Sequence, residues 1–167
     1  MRAKLIVEGK EFDIDIFDPE LEKLVAPKKK TGYENVGVGH VYYFTNGYDE
    51  IKNFDHEGED DDKHYNIANY YSDYEVAENN ARADKLMRQL RRFAVEHRVD
   101  GIDWNDCQNE KFFFWYSYDD KEIEIDRSFD SREVGAIYFD SRAAVSHAIK
   151  TFHDELIWYF TEYKDSL

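Results

Sequence analysis

From residue 11 the chain alternates without exception between apolar and acidic positions: Phe12, Ile14 and Ile16 against Glu11, Asp13 and Asp15. Leu5, Ile6 and Val7 precede them across a Glu8-Gly9-Lys10 turn. A period of two on both sides of a polar turn predicts a β-hairpin over residues 2–17, apolar on one face and acidic on the other. Asp18 and Pro19 then have the chemistry of an N-cap and a first helical position. Leu21, Leu24 and Val25 would pack that short helix back down before Pro27 stops it. Lys28-Lys29-Lys30-Thr31-Gly32 reads as an exposed basic linker. The chain thus divides into a ββα unit at 1–26, a linker at 27–39 and a main domain at 40–167.

In the main domain the pattern repeats. Tyr42-Tyr43-Phe44 leads through a turn at Tyr48-Asp49-Glu50 to Ile51, and Phe112-Phe113-Phe114-Trp115 leads through Tyr118-Asp119-Asp120 to Ile123 and Ile125. Each pair is followed by a third strand ending in two aromatics, Tyr70-Tyr71 and Tyr138-Phe139, and then by helix-capping residues, Ser72-Asp73 and Asp140-Ser141. Past the caps, Ala77 and Ala81 stand where Val145 and Ile149 stand. Ala83, Leu86, Leu90, Phe93 and His97 trace one helical stripe, and Val145, Ile149, Phe152, Leu156, Tyr159 and Tyr163 trace another. The expectation is an α+β fold: the ββα unit, then two degenerate βββα units at 40–98 and 111–163, forming antiparallel sheet with two long helices packed on it. A polar loop around Trp104 joins the two units.

Composition narrows the functional classes. Of 167 residues, 17% are aromatic, which argues for a folded chain in spite of its charge. Thirty-seven Asp and Glu against twenty-two Lys and Arg give a formal charge of −15. Nucleic acid and anionic lipid are therefore repelled, and basic partners attracted. Cys107 is the single cysteine, which fits a reducing cytoplasm. Neither a signal-peptide core nor an apolar run of the roughly 20 residues that span a bilayer is visible, so no membrane association is expected.

Three constellations are candidates for chemistry. Asp55-His56-Glu57-Gly58-Glu59-Asp60-Asp61-Asp62, with Lys63 and His64 after it, is the densest. Its order does not reproduce a calcium loop, and two histidines eight residues apart are not zinc spacing, so no metal or other cofactor is implied. It reads either as a solvated hairpin loop or as an acidic surface for a basic groove. Around Cys107, Asp103 and Asp106 could serve acid–base work, but no hydrolase signature surrounds the thiol, and phosphate-binding and nucleophile-elbow motifs are missing from the chain. No catalytic residue is assigned. Third, Arg82, Lys85, Arg88, Arg91, Arg92 and Arg98 gather on or just after the first long helix, either paired with acidic neighbours or available to an anion or a second copy of the chain.

The opening Met1-Arg2-Ala3-Lys4-Leu5-Ile6-Val7-Glu8-Gly9-Lys10, the Lys28 to Glu34 linker, Tyr42-Tyr43-Phe44 and the closing Trp158-Tyr159-Phe160 resemble small acidic accessory proteins of phages and prophages of Firmicutes. That setting includes anti-CRISPR and other anti-defence proteins. The resemblance implies a non-catalytic inhibitor in the host cytosol, bound to the basic nucleic-acid surface of a defence protein such as a CRISPR effector nuclease. Asp55, Glu57, Glu59, Asp60, Asp61 and Asp62, helped by Asp13, Asp15, Asp119 and Asp120, would face that partner, with Tyr48 and Trp104 as aromatic anchors. Two other readings follow from the basic helix. In one, the chain self-associates as a structural module through Arg82, Lys85, Arg88 and Arg92; in the other, those residues hold a nucleotide phosphate.

Overall fold

The computed structural model describes residues 2–7, 10–15, 30–47 and 50–165. It divides into two compact units, residues 1–31 and 32–167.

In the first unit, β1 (Arg2–Val7) and β2 (Lys10–Asp15) form the expected antiparallel hairpin, with Leu5 opposite Phe12. Lys4 Nζ donates to Glu11 Oε2 at 2.6 Å across the strands. The helix expected from Asp18 lies outside the described residues.

The second unit is α+β and is built from two hairpins and four helices. β3 (Val41–Thr45) pairs with β4 (Ile51–Asp55), and β5 (Lys111–Ser117) with β6 (Glu122–Ser128), both antiparallel. After β4 come α1 (Glu59–Asn66) and α2 (Tyr74–Glu96); after β6 come α3 (Arg142–Thr151) and α4 (His153–Thr161). Three expectations need correction. The hairpins remain separate two-stranded sheets and do not merge into one. The third strand of each unit shrinks to one bridging pair, Tyr43 with Tyr71 and Phe112 with Phe139, because the chain turns at once into a helix cap. The second long stripe is two helices, broken at Phe152, whose backbone leaves helical values at φ −110° and ψ 19°. The Ser146 and Thr151 hydroxyls donate to the carbonyls of Arg142 and His147, contacts that bend helices.

Both helix caps form as the sequence anticipates. Asp73 accepts from the Glu75 and Val76 amides at 2.8 and 3.1 Å, and Ser141 accepts from Ala144 at 3.2 Å. Such caps satisfy first-turn N–H groups that have no partner within the helix. The 23-residue α2 is the shared spine. Its first turns bury Val76 and Ala77 with Tyr71, against Tyr33, Tyr43 and Ile51. Its later turns bury Leu86, Leu90, Phe93 and Ala94 with Phe112, Phe139, Val145, Ala148 and Leu156.

Each of the two hairpins of this unit is preceded by a loop that opens on a glycine with positive φ. Gly32 (φ +91°) and Gly101 (φ +83°) open the two loops that lead into β3 and β5. In the first half, Glu34 Oε2 accepts from the Gly32 amide and the Ser72 hydroxyl. In the second half, Asp140 occupies the position of Ser72 and reaches the other way. Its Oδ2 accepts from the amides of Val99, Asp100 and Gly101 at 2.7, 3.0 and 2.8 Å. Burial alone would raise the Asp140 pKa, but these amides together outweigh it and hold it below the ordinary value.

Candidate functional site: an acidic, aromatic-walled cleft

The acidic run is not a loop from residue 59 onward; it folds as α1. Four carboxylates, Glu59 to Asp62, occupy the first turn and Lys63 and His64 the last, which matches the helix dipole. Asp61 Oδ2 accepts from the amides of Glu57 and Gly58 at 2.7 and 3.1 Å, closing the N-terminus. No residue of α1 is buried, and it packs on the body through ring contacts of His64 with Phe44 and of Tyr65 with Tyr70. A hydrogen bond adds to these: the Tyr42 hydroxyl of β3 donates to Asp61 Oδ1 at 2.6 Å. That bond, with the Glu57 amide, lowers the Asp61 pKa; burial, and then the same carboxylate, raises that of Tyr42.

Tyr42 is held from behind. Its ring stacks on Tyr70 at 4.1 Å with 8° between planes. The Tyr70 oxygen accepts from the Val36 amide and lies 3.1 Å from Nδ1 of His56, a buried residue. His56 Nε2 is 3.8 Å from Asp62. In front, Tyr42, Phe44, Phe54 and His64 line a cleft of about 760 Å³, with Asp55, Glu57, Glu59, Asp60 and Asp61 on its walls and rim. Phe44 meets His64 at 4.3 Å and Phe54 at 5.5 Å. Phe54 is 56% exposed.

The six carboxylates divide by role. Asp60 pairs with Lys63, Asp61 builds the helix start and Asp62 approaches His56. Asp55, Glu57 and Glu59 are exposed and make no side-chain hydrogen bond or ion pair among the described residues. No group of three His, Cys, Asp or Glu among the described residues is arranged to hold a metal ion.

Other anticipated residues serve different ends. Asp120 closes the β5–β6 turn by accepting from Ser117 Oγ at 2.9 Å, while Asp119 is exposed. Asp13 is exposed, and the side chain of Asp15, like all of Tyr48, lies outside the described residues. Asp103 and Asp106 accept from the Asn105 and Gln108 amides and shape the loop around exposed Cys107. Trp104 belongs to a different cavity and does not join the acidic cleft. Among the helix cations, Arg82 donates from Nε and Nη2 to both oxygens of Glu155, at 2.9 and 3.1 Å, and lies 3.9 Å over Trp158. Arg92 sits 3.6 Å from Glu96, and Lys85 and Arg88 have partners as well. The cleft itself was half legible: the carboxylates stood out, whereas the Tyr42–Asp61 clamp joins residues that only the fold brings together. Among the described residues no helix is long and apolar enough to cross a membrane.

Comparison with known proteins returns no matching family model, no similar curated protein and no similar solved structure.

Proposed function

We propose that this protein is a non-catalytic binding protein that captures arginine and lysine side chains of a basic protein surface in the cleft between β3, β4 and α1. The observation that carries this reading is the pairing of unneutralised carboxylates, Asp55, Glu57 and Glu59, with an aromatic wall of exposed Phe54 and half-buried Phe44. A guanidinium is planar, weakly hydrated and a fork donor, so it can lie on a ring face while donating to a carboxylate. The clamp from Tyr42 to Asp61 fixes the start of α1, which carries Glu59, before binding, and so lowers part of the ordering cost. A nucleic-acid groove on a host defence nuclease, the partner class implied by the resemblance to phage accessory proteins, presents such cations in number.

Self-association through the basic helix is less favoured, because Arg82 and Arg92 already have acidic partners within the chain. The test is titration of an arginine-rich peptide, and of basic nuclease grooves, at rising salt. Affinity should fall steadily with ionic strength. Asp55→Asn/Glu57→Gln/Glu59→Gln removes three exposed pairs at roughly 0.5 kcal/mol each, which weakens binding about tenfold. Salt-independent affinity, or a triple variant that binds as tightly as the wild type, would refute the proposal.

A further inference from the structure

On the second half of the unit, the end of α2 and two loops enclose a cavity of about 270 Å³ of opposite character. Arg91 and Arg98 come from α2 and the residues just beyond it, Arg132 from the loop after β6, and Ile102, Trp104 and Tyr138 complete the wall. Among the described residues no carboxylate lines it, although the chain carries 37 of them. Arg91, Arg98 and Arg132 make no hydrogen bond or ion pair among the described residues, unlike Arg82 and Arg92 on the same helix. Arg132 lies 5.2 Å over the Trp104 ring, and Trp104 meets Tyr138 edge-on at 5.0 Å.

A second observation points the same way. Lys111 is fully buried, and its ammonium lies 5.6 Å from the Trp104 ring. It donates to two backbone carbonyls, of Asp106 and Phe129, at 2.7 and 2.6 Å. Carbonyls satisfy its hydrogens without cancelling its charge. Arg132 and Lys111 thus both face the Trp104 ring, and Arg91 and Arg98 line the same cavity. The three exposed guanidiniums keep their donors available to a negative ligand.

We infer that this cavity binds a small phosphorylated ligand bearing a flat ring, of the mononucleotide class. The guanidinium forks suit phosphate oxygens, and the Trp104–Tyr138 wall suits a planar base. Its volume of about 270 Å³ falls just below the usual range of small-molecule sites, roughly 300 Å³ upward, so a compact ligand fits better than a dinucleotide. A polymeric nucleic acid is disfavoured by the charge of the rest of the chain.

Calorimetry and thermal unfolding of the full chain with AMP, GMP, CMP, UMP, adenosine and inorganic phosphate test the inference. At least one mononucleotide should raise Tm by several degrees at millimolar concentration and bind at least tenfold more tightly than inorganic phosphate. Adenosine should give no shift. Arg98→Gln/Arg132→Gln, at two exposed positions, should abolish the shift while leaving the circular dichroism spectrum unchanged, and Trp104→Leu should reduce nucleotide affinity to that of phosphate. Absence of a shift and of heat with every phosphate compound would overturn the inference. So would equal binding of nucleotide and inorganic phosphate, or an unchanged response in the arginine variant. The Asp55/Glu57/Glu59 variant should retain the shift, so failure here is separable from failure of the acidic cleft.

Discussion

Gly32 and Gly101 hold matching places in the two halves but meet different surroundings, and that contrast yields a quantitative expectation. Both have positive φ, +91° and +83°, where a side chain costs roughly 1–2 kcal/mol. A Cβ at Gly32 would stand 2.6 Å from Val76 Cγ2 and 3.0 Å from Val76 Cβ, whereas one at Gly101 would meet nothing within 4 Å. Val76 is buried at the start of α2 and cannot retreat freely. Overpacking of this kind adds roughly 1–3 kcal/mol. Gly101→Ala should thus cost about 1–2 kcal/mol and Gly32→Ala about 2–5 kcal/mol, read from equilibrium urea unfolding at unchanged slope. Adding Val76→Ala to Gly32→Ala should recover part of the loss, with a coupling energy of about 1 kcal/mol or more. Equal costs at the two glycines, or additive behaviour with Val76→Ala, would refute the packing argument.

Two further outcomes can be measured on the same footing. Asp140→Ala should cost about 2 kcal/mol at neutral pH, since hydrogen bonds to a charged acceptor contribute roughly 1.5–3 kcal/mol and this one is partly exposed. Because the folded-state pKa of Asp140 is depressed, its contribution is complete above the unfolded value of roughly 3.9 and fades as pH drops through the folded value. Urea midpoints of variant and wild type should therefore converge below about pH 4, and a gap independent of pH would count against the amide cluster. Arg82→Ala should lose about 1–2 kcal/mol, from a half-exposed bidentate pair and a stacked indole. Most of that loss should persist in high salt if Trp158 stacking dominates, as a melting series with added NaCl would read.

The strands and caps were legible because each is written locally. Alternation marks the strands of the first hairpin, and Asp73 and Ser141 announce their helices. α1 escaped notice since its carboxylate run has no apolar stripe, and its stability comes from dipole, cap and the distant Tyr42. The break at Phe152 was hidden by an unbroken stripe running through Leu156 to Tyr163. The arginines of the basic cavity were only partly visible. Arg91 lies on α2 and Arg98 just beyond its end, seven residues on, but Arg132 arrives from a loop without periodicity. Gly32 and Gly101 are each followed by an apolar residue and then an acidic one, Tyr33-Glu34 and Ile102-Asp103, a pattern too short to mark the two loops by itself.

Every strand pair described joins neighbours along the chain, and the distant β contacts are two single-residue bridges. Ring closures are therefore short, so the entropy lost before any contact is rewarded is small. Such local wiring belongs to the faster part of the folding-rate spectrum. Both cores draw on α2, so a proline placed at its middle should slow the collapse of the two halves together, and neither could mature as an independent nucleus.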